Sequence, residues 1–161
     1  MFELDWIYIL DQNYTYNIAN RLPANFSTGQ GCAFVDQNGI RRLEIHPNGD
    51  AVVLAGYAWD GCTPKLAIWD IMIGTPDGIP NMQTQRPKAY YASLMHDVFY
   101  QFLDNQLPLS RSSIDQIFLE ILERDDFAPR NIYYIAVRLF GGLFHAFSRW
   151  KRSYNGEKVS L

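Results

Sequence analysis

Only two cysteines, Cys32 and Cys62, occur in 161 residues, too few for a disulfide framework and without a C-x-x-C metal-ligand spacing. They read as two buried thiols, with one disulfide as the alternative. Charge is sparse too: 14 basic against 17 acidic residues leave a net of −3, so no basic field attracts a phosphate backbone and nucleic acid is not expected as a partner. No apolar run approaches the roughly 20 residues that span a bilayer. The opening Met1-Phe2-Glu3-Leu4-Asp5-Trp6 carries acids where a signal peptide has cations. The expectation is a cytoplasmic protein with no transmembrane segment and no signal peptide.

Hydrophobic residues, by contrast, make up 48% of the chain, with ten Tyr, ten Phe and four Trp. A single sizeable core follows, and the length fits one domain, here placed at 1–154. Residues 1–58 read as strands. The apolar stretches Trp6–Leu10, Tyr14–Ile18, Cys32–Val35, Ile40–Ile45 and Ala51–Tyr57 are broken by Asp36-Gln37-Asn38-Gly39 and Pro47-Asn48-Gly49-Asp50, and Asn-Gly supplies the positive φ of tight hairpins. Residues 59–87 are rich in Gly and Pro, an ordered loop excursion in which Lys65–Ile73 is either a short helix or a strand.

From 88 to 152 the period becomes helical. Ala92, Met95, Phe99 and Phe102 make one helix, ending near Asp104. A second starts after Pro108, capped by Ser110 or Ser113, with Ile114, Ile117, Phe118, Ile121 and Leu122 inward. The third runs from about Asn131 to Arg152 on an apolar face that includes Ile132, Ile135, Ala136, Leu139, Phe140 and Leu143. Residues 155–161 read as a flexible tail. The fold class is α+β: an N-terminal antiparallel β-meander followed by three packed C-terminal helices.

Chemistry concentrates at His96-Asp97. On the first helix His96 and Tyr100 share a face, and Asp97 points about 100° away. The short link between the first two helices suits antiparallel neighbours, which brings Asp115 within reach of the imidazole. Held in this way, a neutral imidazole takes a proton from water with one nitrogen while the other donates to the carboxylate. Asp97 faces a loop, and Asp60 or Asp77 from the Gly-rich segment supplies a second carboxylate. Such hard oxygen donors suit calcium or magnesium rather than zinc. Each residue also has a plainer role. His96 can satisfy a buried carbonyl, Asp115 can favour a helix first turn, Arg111 can pair with Asp115 on the surface, and Asp60-Gly61 and Asp77-Gly78 are turn dipeptides. His46 and His145 have no evident acidic companion and read as structural. Gly141-Gly142 in a helix implies close packing against another backbone. The basic end Arg149-Trp150-Lys151-Arg152 either complements the helix dipole or docks on an anionic surface.

Two resemblances rest on these residues. Asp60-Gly61-x-Thr63-Pro64, then Ala92-Ser93-Leu94-Met95-His96-Asp97-x-x-Tyr100, Ser110-Arg111-x-x-x-Asp115-x-x-Phe118 and Val137-Arg138-x-Phe140-Gly141 resemble a phage and prophage family of unknown function. That likeness implies a phage protein of host cytoplasm or virion, with a viral or host protein as partner. Narrower is the pattern His96-Asp97-x-x-Tyr100 with Ile114-Asp115-x-x-Phe118, similar to calcium-dependent secreted phospholipases of the small bacterial type. It implies a lipid or other ester substrate, with His96 activating water, Asp115 orienting it, and Asp97 binding calcium with Asp77 in a calcium loop. The disulfides that staple those enzymes are absent here. The expectation is therefore a metal-assisted ester hydrolase or, alternatively, a non-catalytic virion or host-interaction protein in which His96, Asp97 and Asp115 form a structural clasp.

Overall fold

Turn glycines and short β-branched or aromatic stretches divide the N-terminal third into strands. In the computed structural model, which describes residues 8–59, 81–139, 141 and 156–161, these are β1 (Tyr8–Ile9), β2 (Tyr14–Asn17), β3 (Cys32–Val35), β4 (Arg41–Ile45), β5 (Asp50–Val53) and β6 (Ala58–Trp59). β3, β4 and β5 form the expected meander, and β2 joins beyond β5, all antiparallel. Gly49 shows why the β4–β5 turn needs glycine: its φ is +89°, and a Cβ there would lie 2.4 Å from that of Ala19. The stretch Ala51–Tyr57 is shorter as a strand than its apolar run suggests. It breaks after Val53 and restarts as β6, which pairs with β1 in a separate two-stranded sheet.

Among the described residues three helices follow: α1 (Tyr90–Phe102), α2 (Arg111–Arg124) and α3, described over 130–139 and at 141. The architecture is α+β in one domain, with β1 to β6 ahead of the helices and one further strand after them. Ser110 caps α2, its side chain accepting from the Ser113 backbone N–H at 3.1 Å. Only Tyr91 and Gln101 of α1 escape burial, the mark of a helix enclosed on all sides. Phe34, Leu43, Ile45, Ala51 and Val53 from the sheet and Leu94, Val98, Phe99 and Phe102 from α1 are fully buried. Phe34 and Phe102 place their ring centroids 5.4 Å apart. The helix that carries His96 is thus the core element of the molecule.

Two expectations are corrected. Residues 155–161 are not simply a flexible tail. Glu157–Ser160 forms β7, an edge strand antiparallel to β3 with Ala33 opposite Val159. Asn105 Nδ2 donates to the Gly156 carbonyl at 2.6 Å, and Lys158 Nζ to that of Gln106 at 3.2 Å. A polar, solvated edge strand has no apolar alternation to reveal it. Secondly, Ile132, Ile135 and Leu139 do not face the core. α3 buries Tyr133, Ala136 and Val137 instead. A helix apolar on both faces gives periodicity no way to choose between them. Cys32 is a buried free thiol. Cys62, Lys65–Ile73 and His145 lie outside the described residues.

Candidate functional site

Opposed running directions of α1 and α2 build the site. Arg111, which opens α2, meets Tyr100 late in α1, whereas Asp115 and Phe118 meet His96 a turn earlier. Asp115 is 0% exposed. Its Oδ1 takes hydrogen bonds from the Tyr100 hydroxyl at 2.8 Å and from His96 Nε2 at 3.1 Å, and its Oδ2 one from Arg138 Nη1 at 3.1 Å. Arg111 Nε stands 4.0 Å from the same Oδ2 and donates to the Tyr100 oxygen at 3.1 Å. His96 and Tyr100 stack with centroids 4.3 Å apart. The expected trio of His96, Tyr100 and Asp115 therefore does come together.

The electrostatics fix the direction of each proton. Burial by itself raises the carboxyl pKa of Asp115. The hydrogen bond and charge of His96, with the bonds from Tyr100 and Arg138, more than offset this and hold it below the usual carboxylate range. Asp115 is therefore ionised near neutrality and can only accept. Tyr100 is pushed the other way, by burial first and then by the Asp115 charge, so its hydroxyl keeps its proton and donates. His96 Nε2 must carry the proton it gives to Asp115, and in the neutral ring the lone pair then sits on Nδ1. His96 retains 8% of its surface exposed.

The first-turn role considered for Asp115 does not apply, because the first turn of α2 contains no acidic residue. Asp97 is 4% exposed, a buried carboxylate adjoining His96 in the chain. Asp60 and Asp77 lie outside the described residues. Among the described residues no group of three His, Cys, Asp or Glu is gathered as a metal cage. His46 does have an acidic companion, Glu44 Oε2 at 3.2 Å from its Nε2, two positions earlier in the strand. An open cleft of about 390 Å³ lies between Asp104–Gln106 and Gly156–Lys158 and contains none of the expected site residues.

Sequence reasoning missed the part played by Arg138 and underrated Arg111. Arg111 Nη2 donates to the carbonyls of Arg138 at 2.7 Å and Val137 at 3.4 Å, tying the start of α2 to α3. Gly141 makes this possible. A Cβ there would lie 2.8 Å from the Tyr100 hydroxyl and 3.1 Å from Arg111 Nη2, so the glycine yields to side chains rather than to the backbone expected. Gly141→Ala is accordingly expected to cost about 1–3 kcal/mol despite the better helix propensity of alanine, because the methyl displaces two hydrogen-bonded groups. Urea unfolding checks this, and an unchanged or raised midpoint refutes it.

No protein-family model matches the chain, and no curated protein or solved structure matches it either.

Proposed function

We propose that this chain is an ester hydrolase acting on lipid or a related ester, with His96 as general base. The observation that carries the reading is the bond from His96 Nε2 to a buried, ionised Asp115, which turns the basic Nδ1 lone pair away from its orienting partner. Tyr100, held by Arg111, donates to the same carboxylate oxygen and fixes its position. Asp97, a desolvated carboxylate with hard oxygen donors, fits a divalent cation of the calcium type, joined by Asp60 or Asp77. When bound, such an ion polarises the ester carbonyl. His96 takes the proton of the attacking water and returns it to the leaving alcohol.

A second reading, a non-catalytic phage virion or host-interaction protein, draws support from the same carboxylate. Asp115 is sealed from solvent and takes three hydrogen bonds from the two helices packed against its own, as a clasp would. Calcium titration followed by phospholipid hydrolysis separates the two. Wild type is expected to turn over only with calcium, His96→Ala to lose about 10²–10⁴-fold, and Asp97→Asn to lose calcium binding, with all three folded by circular dichroism. Folded wild type that neither binds calcium nor hydrolyses ester overturns the hydrolase reading in favour of the clasp.

A further inference from the structure

β7 closes the sheet with little to hold it. Among the described residues no strand lies on its outer side, and of Glu157, Lys158, Val159 and Ser160 only Val159 is half-buried. The open cleft of about 390 Å³ lies between β7 and the α1–α2 link, and the bonds of Asn105 to the Gly156 carbonyl and of Lys158 to that of Gln106 cross from one side to the other. The ladder to β3 and these two bonds, each of modest net worth beside water, stand in for the apolar burial that anchors the other strands.

What β7 covers is of a different character. β3, Cys32-Ala33-Phe34-Val35, carries no charge, and its first three residues are buried. Directly opposed residues of an antiparallel pair share a face, so Ser160 stands beside Cys32 and Lys158 beside Phe34, on the side where Phe34 meets Phe102 of α1. β7 thus sets a hydroxyl and an ammonium at the rim of the core, and a charge on that face is one device that keeps an edge strand from pairing further. Gly156 admits the strand: a Cβ there would lie 2.9 Å from Cε1 of Phe102 and 3.0 Å from the Val35 carbonyl oxygen. Without β7, β3 becomes an edge that is apolar, uncharged and free of proline, the kind that recruits another strand. The Cys32 thiol, inert while buried, is then uncovered. A second copy of β3 is the partner that matches, because a two-fold antiparallel contact joins two identical strands with no charge to oppose.

We infer that β7 is a releasable strap that shields Cys32 and keeps β3 from pairing with β3 of a second copy. The inference is independent of ester hydrolysis. The whole chain is treated with a thiol reagent, and labelling of Cys32 is followed by peptide mass spectrometry, which resolves it from Cys62. Wild type is expected to label through local opening, at a rate nearly independent of low urea, because little surface is exposed when one strand leaves. Lys158→Pro with Val159→Pro removes two adjacent amide donors, one of which faces β3. This variant is expected to label at least about tenfold faster and to elute as a concentration-dependent dimer, with the helical circular dichroism of wild type. Asn105→Ala deletes a single bond to the strap and is expected to quicken labelling about fivefold; it decides the matter should the proline variant not fold, an unchanged rate overturning the inference. Wild-type labelling that rises with urea as steeply as global unfolding overturns it too, as does a folded proline variant that labels no faster or stays monomeric.

Discussion

Asp115→Asn is expected to lower the unfolding free energy by about 3 kcal/mol at neutral pH, the lower end of what breaking a buried ion pair costs. The carboxylate is wholly buried, while Arg111 and Arg138 keep 37% and 40% of their side chains exposed, so water partly compensates the guanidiniums left behind. The amide brings donors of its own, and one of them must face the N–H or O–H that Asp115 now receives from His96, Tyr100 or Arg138. The penalty has a definite sign in pH. Because the folded state holds Asp115 below its ordinary range, its contribution is complete above the unfolded value of about 3.9 and fades as pH falls through the lower folded value. Urea unfolding of wild type and variant is thus expected to differ most near neutrality and to converge in acid. A gap under about 1 kcal/mol at pH 7, against the range for broken buried pairs, would mean that Asp115 is not the hub its hydrogen bonds imply.

How much of this was legible in the sequence varies by residue. β3 was readable because Cys32–Val35 is short, apolar and bounded by turn residues. The encounter of His96 with Asp115 was readable because Pro108 and a short link force α2 back along α1, and helical spacing then decides which residues meet. Burial of Asp97 was not, since the position of a residue on a helix gives its direction without telling what encloses that side. β7 escaped because Glu157-Lys158-Val159-Ser160 carries one apolar residue, and its pairing comes from backbone bonds that any side chain allows. Arg138 escaped for a related reason. Its bond to Asp115 spans 23 positions and joins two helices whose relative rotation no local pattern sets. Gly141 gave a clear signal, the cost of glycine in a helix, and the structure supplies the cause in the Tyr100 hydroxyl and Arg111.

The largest loss of stability is expected from Trp59→Ala, about 3–5 kcal/mol, the range for deleting a large buried aromatic. Trp59 is fully buried on β6 and forms a three-ring cluster with Tyr8 and Tyr90, whose centroids lie 5.4 and 4.8 Å from its own and 5.2 Å from each other. Its indole N–H donates to Ser93 Oγ at 3.1 Å, and that hydroxyl donates in turn to the Tyr90 carbonyl. Together with the Tyr8–Tyr90 contact, this side chain fastens the two-stranded sheet to α1, at a residue one turn before His96. Trp59→Phe keeps most of the volume and loses the N–H bond, so its expected cost is only about 1 kcal/mol. Both values are read from urea unfolding, and a cost below about 1.5 kcal/mol for the alanine variant, half the lower bound, would show that the sheet docks without it. The same pair of variants bears on the calcium site proposed above. Asp60 follows Trp59 directly in the chain, so if Asp60 is the proposed calcium ligand, loosening Trp59 acts on its immediate neighbour. Calcium affinity is then expected to survive Trp59→Phe and to fall in Trp59→Ala at temperatures where that variant remains folded. Equal affinity in both variants would leave Asp77, rather than Asp60, as the proposed partner of Asp97.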